Sequence, residues 1–271
     1  MPPVGEPPAG PAPGAPRRAW LFLGGTFAVT WVVWGALAAL TRAGTLAFGG
    51  PGATALLVLG GSAPTWVAYL AVWRTPEAGP LREFNQRVLR LRVPIPLLVI
   101  AVLGAAALGV ASMMLTGAVT EVNWPEGPGY AAALFVPAFV TGIALGGIEE
   151  VGWRGVLQPA VTARWSLLTA NLVIALVWAL WHLPLFWVAG GAHEGGSFAL
   201  FLVAGVGYSA VMTWLYARTH SVALCVLFHA GVNAASAAGL AFTVTETPGF
   251  AVQAIVLAVV GTALLLVAQR H

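Results

Sequence analysis

Eight intervals of this chain run for roughly twenty residues without a single charge, and only a few environments accept such sequence. They are Trp20–Thr41, Gly52–Trp73, Pro94–Thr120, Gly129–Ile148 and beyond, Ser166–Val188, Phe198–Ala217, Ser221–Phe242 and Gly249–Ala268. A bilayer core asks for about 20 consecutive apolar helical residues, because a helix rises only about 1.5 Å per residue. The predicted fold is therefore all-α, a polytopic membrane bundle of about eight transmembrane helices. Its short connections favour one bundle over separate domains.

Composition agrees. Charged residues make up 8% of the chain and hydrophobic residues 59%, whereas soluble domains carry about 25% charged residues. Mean hydropathy is +0.87. Twelve tryptophans suit a protein whose aromatic rings collect at two membrane interfaces. Every basic residue is an arginine and every acid a glutamate. No arginine-rich, aromatic-interleaved patch points to nucleic acid, so the expected partners are the lipid bilayer and a membrane-associated protein or peptide. Cys225 stands alone, which leaves no disulfide framework and no cysteine-based metal site. Abundant Ala, Gly and Arg without Lys or Asp suggest a high-GC bacterial genome, hence a bacterial plasma membrane.

Four segments follow from these patterns. Residues 1–18 are rich in Pro, Gly and Ala and are expected to form a disordered cytoplasmic tail. The apolar run after Arg18 is too long for a cleaved signal and reads as a retained first helix. Residues 19–125 carry three spans, 126–245 the spans that hold the intramembrane polar residues, and 246–271 the last span with a short tail. When spans alternate, one set of loops receives eleven arginines and the other only Arg42. The positive-inside rule then puts both termini in the cytoplasm. Between the second and third spans, residues 81–93 place Leu81, Phe84, Val88 and Leu91 near helical spacing. Arg82, Arg87, Arg90 and Arg92 can meet lipid headgroups, or the segment is a basic loop that only sets topology. Gly142-x-x-x-Gly146 allows a close helix contact.

The polar residues inside the spans are few and organised. Ionisable groups in hydrocarbon cost several kcal/mol and persist mainly where they pair, line a wet cavity or do chemistry. They read Glu149-Glu150-x-x-x-Arg154, then His182, then His229-x-x-x-Asn233. Glu150 and Arg154 share a helix face and can pair, while Glu149 lies about 100° round the helix. A carboxylate and an imidazole can hold and deprotonate water, and an imidazole with an amide can stabilise an oxyanion. A set of two His and one Glu could instead hold a divalent metal such as zinc. With no aspartate an aspartyl dyad is impossible, and no His-Glu-x-x-His motif is present. Ser209 reads as a hydroxyl at a helix interface.

These motifs resemble those of the CPBP family (CAAX prenyl protease and bacteriocin-processing, or Abi) of intramembrane proteases. That family includes the type II CAAX prenyl endopeptidases and lysostaphin-resistance-like proteins. Glu149–Pro159 (EEVGWRGVLQP) is similar to its Glu-Glu-x-x-x-Arg block, Val177–Phe186 (VWALWHLPLF) to its Phe-x-x-x-His block, and Tyr216–Asn233 to its His-x-x-x-Asn block. Trp178 and Trp153 stand where phenylalanine is common. The resemblance implies an endopeptidase in which Glu149 and His182 activate water and His229 and Asn233 support the oxyanion. Glu150 and Arg154 would orient the first motif. Two rival readings stay open, a non-proteolytic immunity or envelope-regulatory protein and a proton-coupled transporter.

One depth constraint follows. Glu149 sits near the cytoplasmic limit of its charge-free interval, whereas His182 lies about 25 Å from the start of its own. A shared site requires the fourth span to continue to about Ala163 and the fifth to begin near Ala170.

Overall fold

Helix boundaries follow from capping residues and from a few glycines. The computed structural model describes residues 13–270, and within them the chain is helical with short turns. The long helices are α1 (Ala15–Arg42), α2 (Pro51–Arg74), α4 (Ile95–Gly117), α5 (Pro128–Thr162), α6 (Leu167–His182), α7 (Phe198–Thr219), α8 (Val222–Ala237) and α9 (Gly249–Ala268). A short α3 (Leu81–Val88) lies between α2 and α4. With the 3-10 turn Leu183–Trp187 that prolongs α6, seven of these elements are long and apolar enough to cross a bilayer, and α8 is a shorter apolar helix. The chain is an integral membrane protein built as a polytopic helical bundle.

Serine starts three helices. Ser166, Ser197 and Ser221 each accept the backbone N–H three residues on, which occupies a donor that the first turn leaves free. The Ser166 cap opens α6 at Leu167, three residues ahead of the expected start near Ala170. α1 begins at Ala15, inside the segment read as a disordered tail, with a proline in its first turn. Arg18 is buried there and donates to the carbonyls of Thr75, Ala78 and Gly79 and to the Thr75 hydroxyl. It closes the chain leaving α2, whose last carbonyls lack helical donors. The rest of the expected tail, residues 1–12, lies outside the described residues.

α5 continues past Arg154 to Thr162, as the depth constraint demands, but it is not one regular helix. Regular turns stop at Leu145, a 3-10 turn covers Gly147–Glu149, and a π-helical turn covers Trp153–Leu157. Thr65 of α2 donates to the Ile148 carbonyl at 2.7 Å, which satisfies one group freed by the irregularity. Both glycines of the Gly142/Gly146 pair face α8. A Cβ at Gly142 would press on the Ala230 backbone, and one at Gly146 would strike the Asn233 amide.

Two expectations need correction. The span predicted over Ser221–Phe242 ends at Ala237, since Gly239 takes a left-handed φ of +68° and Leu240 N–H turns back to the Ala235 carbonyl. The basic segment 81–93 is also less of a headgroup platform than its pattern implies. Phe84 is buried against Tyr69 and the Gly155 backbone. Arg87 donates to the Tyr216 hydroxyl and Arg90 to the Thr219 carbonyl, each at 3.0 Å. Both arginines engage the C-terminal end of α7, Arg90 by occupying one of its orphan carbonyls.

α9 packs along α7 through small residues. A Cβ on Gly207 would collide with the Leu257 backbone, so this contact tolerates no side chain. The Gly207→Ala variant is expected to lose about 1–3 kcal/mol by overpacking, read as a lower thermal midpoint in detergent. Gly35→Ala, whose Cβ would meet nothing within 4 Å, should leave that midpoint unchanged or raise it.

Candidate active site

Glu150 is completely buried, and each of its carboxylate oxygens has a cationic or N–H partner. Arg154 Nε donates to Oε2 at 2.8 Å, and His229 Nδ1 lies 2.8 Å from Oε1. α5 therefore joins α8 through a charge-assisted bond. Arg154 places three of its other donors on two hydroxyls and an amide: Thr213 Oγ1 at 2.8 Å, Ser209 Oγ at 3.1 Å and Gln158 Oε1 at 3.2 Å. The Thr213 hydroxyl donates to Asn171 Oδ1 at 3.1 Å, and Asn171 donates to the Val206 carbonyl at 3.1 Å. The network thus spans α5, α6, α7 and α8.

Glu149 turns the other way. Its Oε2 accepts the Trp178 indole N–H at 3.3 Å. The Trp178 carbonyl is 3.0 Å from His182 Nδ1. A carbonyl can only accept, so Nδ1 of His182 carries the proton and Nε2 is left with its lone pair. Trp178 consequently holds both groups, one through its side chain and one through its backbone. Phenylalanine, common at this position in the resembling family, has no N–H to give Glu149.

One cavity of about 320 Å³ gathers the candidates. Glu149, Arg154, His182, His229 and Asn233 line it, while Glu150 stands behind His229. Glu149, His182 and His229 are largely buried, whereas Asn233 is exposed on the cavity side of α8. The chain after α6 and the chain after α8 form its rim through His193 and Phe242–Val244. Gln253 of α9 secures that rim by bonding both the N–H and the carbonyl of Phe242, and it also donates to the Tyr208 hydroxyl.

Among the described residues no three His, Cys, Asp or Glu side chains are grouped to hold one ion. Glu150 is committed to Arg154 and His229. His182 and His229 hold Nδ1 on protein acceptors and, among the described residues, leave Nε2 without a protein partner, an arrangement that a metal-ligating imidazole also takes.

Sequence reasoning misses Gln158, Asn171 and Thr213, and it reads Ser209 as an interface hydroxyl without its arginine. The available signal is a lone amide in an apolar span (Asn171) and a Gln four residues after Arg154. His193 is missed as well. It lies in a glycine-rich loop with no helical spacing to relate it to His182.

Removing Arg154 would leave Glu150 with an uncompensated buried charge. Arg154→Met is expected to destabilise the fold by about 3–5 kcal/mol, while Thr213→Val should cost about 1–3 kcal/mol by unpairing buried groups. Denaturant titration of the detergent-solubilised protein measures both.

Residues 128–235 match the family model described as type II CAAX prenyl endopeptidase Rce1-like. The chain is also similar to a protein of Methanococcus maripaludis named CAAX prenyl protease 2. The two are 23% identical over 227 residues, which cover 79% of this chain and 82% of the relative. The matched segment begins with α5 and ends within α8, so it contains all six candidate residues.

Proposed function

We propose, from the premise that this chain belongs to the CPBP family of intramembrane endopeptidases, that it hydrolyses a peptide bond through a water held by Glu149 and His182. The observation that carries this reading is the shared cavity, where both groups face the same space and Trp178 fixes both. Water donates one O–H to the His182 Nε2 lone pair and the other to the Glu149 carboxylate. Glu149 takes the proton as the oxygen adds to the carbonyl carbon, and later returns it to the departing amine. The oxyanion accepts from Asn233 Nδ2 and from His229 Nε2, next to each other above Gly146. A His229 ring that donates at both nitrogens is cationic, and the Glu150 carboxylate at Nδ1 balances that charge.

The substrate in this reading is a membrane-associated protein or peptide. The relative's name points to prenylated CAAX termini as the first class to try. A glutamate-dependent mechanism is the favoured form, because the side chains in place suffice for each proton transfer.

The test uses purified protein in liposomes with internally quenched peptides, one prenylated at a CAAX terminus and one membrane-inserted without a lipid. Glu149→Gln and His182→Ala should each lower kcat by about 10²–10⁴-fold, and Asn233→Ala by about 10²–10³-fold. Unchanged thermal midpoints would accompany the loss. Wild-type rates equal to those of Glu149→Gln on every peptide would refute the reading.

Orientation is part of the same proposal. Both termini and the arginine-rich loops lie in the cytoplasm of a bacterial plasma membrane, with the cavity rim on the opposite face. Alkaline phosphatase fused after Glu121 should be active, and the same enzyme fused after Gly79 inactive. The reverse pattern would invert the topology.

A further inference from the structure

A third imidazole reaches the cavity from the loop that joins α6 to α7. The His193 ring lies 6.1 Å, centre to centre, from that of His182, and it packs on Phe186 at 5.2 Å and Phe201 at 5.3 Å. The loop is shaped to put it there. Gly190 and Gly195 both have φ of +75°, a conformation that glycine takes without steric cost. Between them Glu194 faces outward, accepting the Gly190 N–H at 2.7 Å and approaching Arg42 of α1 at 3.9 Å. Arg42 in turn holds the Trp187 carbonyl at 2.7 Å. With its neighbour anchored to α1, His193 is directed inward.

His193 differs from the other two cavity histidines in one respect. His182 and His229 each commit Nδ1 to a protein acceptor, but among the described residues neither nitrogen of His193 has a protein partner. The ring is half-buried, so its nitrogens stay open to the cavity and to whatever enters it. Burial also pushes the His193 imidazole down to about 4, so near neutral pH it is uncharged, with one donor nitrogen and one acceptor nitrogen. A peptide group is likewise neutral, with one donor and one acceptor. The two match without burying a charge.

We propose that His193 is a substrate-contacting residue of this site, hydrogen-bonded to the main chain of the bound peptide beside the scissile bond. This role rests on the peptide hydrolysis proposed for the cavity and adds a group outside the three motifs. The bond is made to bound substrate before and during reaction, so its loss is felt in KM more than in kcat.

Two substitutions separate hydrogen bonding from packing. His193→Phe preserves the contacts with Phe186 and Phe201 but removes both nitrogens, while His193→Gln keeps a donor and an acceptor and gives up the ring. With the quenched peptide that the wild type cleaves, His193→Phe should raise KM about tenfold with kcat nearly unchanged, the size expected for one hydrogen bond. His193→Gln should stay within about threefold of wild type, on the same scale. An active Phe variant beside an impaired Gln variant would assign His193 to packing and overturn the proposal, as would two variants both equal to wild type. Binding of the same peptide to the Glu149→Gln protein, followed by fluorescence anisotropy, gives a readout free of turnover. There His193→Phe should weaken binding about tenfold, and equal binding would overturn the contact. Binding that depends on His193 in a wild type that cleaves nothing would keep the contact and remove the hydrolysis.

Discussion

The architecture depends on keeping one carboxylate, Glu150, charged in a place with no access to water. Its oxygens are fully paired by Arg154 and His229, and Arg154 is itself surrounded by Ser209, Thr213 and Gln158. An isolated ion at that depth would cost several kcal/mol. Pairing and the surrounding hydrogen bonds lower this cost, but the network fixes geometry more than it adds stability. It sets the position of α8 relative to α5 and α7, and it fixes which nitrogen His229 presents to the cavity. Glu149, one residue away, is left outside the network and faces the cavity.

The irregular course of α5 makes that division possible. Adjacent glutamates on a regular helix would differ by about 100° in direction. Here the first belongs to a 3-10 turn and the second opens the short α-helical stretch before a π-helical turn. π-helical turns tend to occur at functional sites, where they redirect side chains. Gly146, Gly152 and Gly155 lie where Asn233, Phe22 and Phe84 approach the backbone, so this stretch is packed on several sides. Irregular backbone at membrane depth is tolerated where protein buries it.

Much of this was legible in the residues themselves. Charge-free runs gave the spans because the bilayer imposes length and apolarity at once, and the rarity of intramembrane charge made Glu149, Glu150, Arg154, His182 and His229 conspicuous. The depth mismatch between Glu149 and His182 required α5 to continue past Arg154, and it does. What escaped was set by tertiary context. Asn171 and Thr213 matter only through an arginine that other helices bring to them, and the left-handed turn at Gly239 cuts α8 short within an interval that composition alone would extend to Phe242. Residues 81–93 show the charge of Arg87 and Arg90 but not the Tyr216 hydroxyl and the Thr219 carbonyl that α7 brings to them. Trp178 stands out in the sequence only as a replacement for phenylalanine, and its indole N–H gains meaning once Glu149 lies beside it.

The early end of α8 has a consequence for what shapes the cavity. Because α8 stops at Ala237 and the chain turns back at Gly239, Phe242–Val244 reach the cavity wall that Arg154, Ser209 and Met212 also line. A connecting segment, and not a helix face, therefore forms one side of the space into which Glu149 and His182 both open. Changes of sequence in that segment can reshape the space while leaving the buried glutamates where they are.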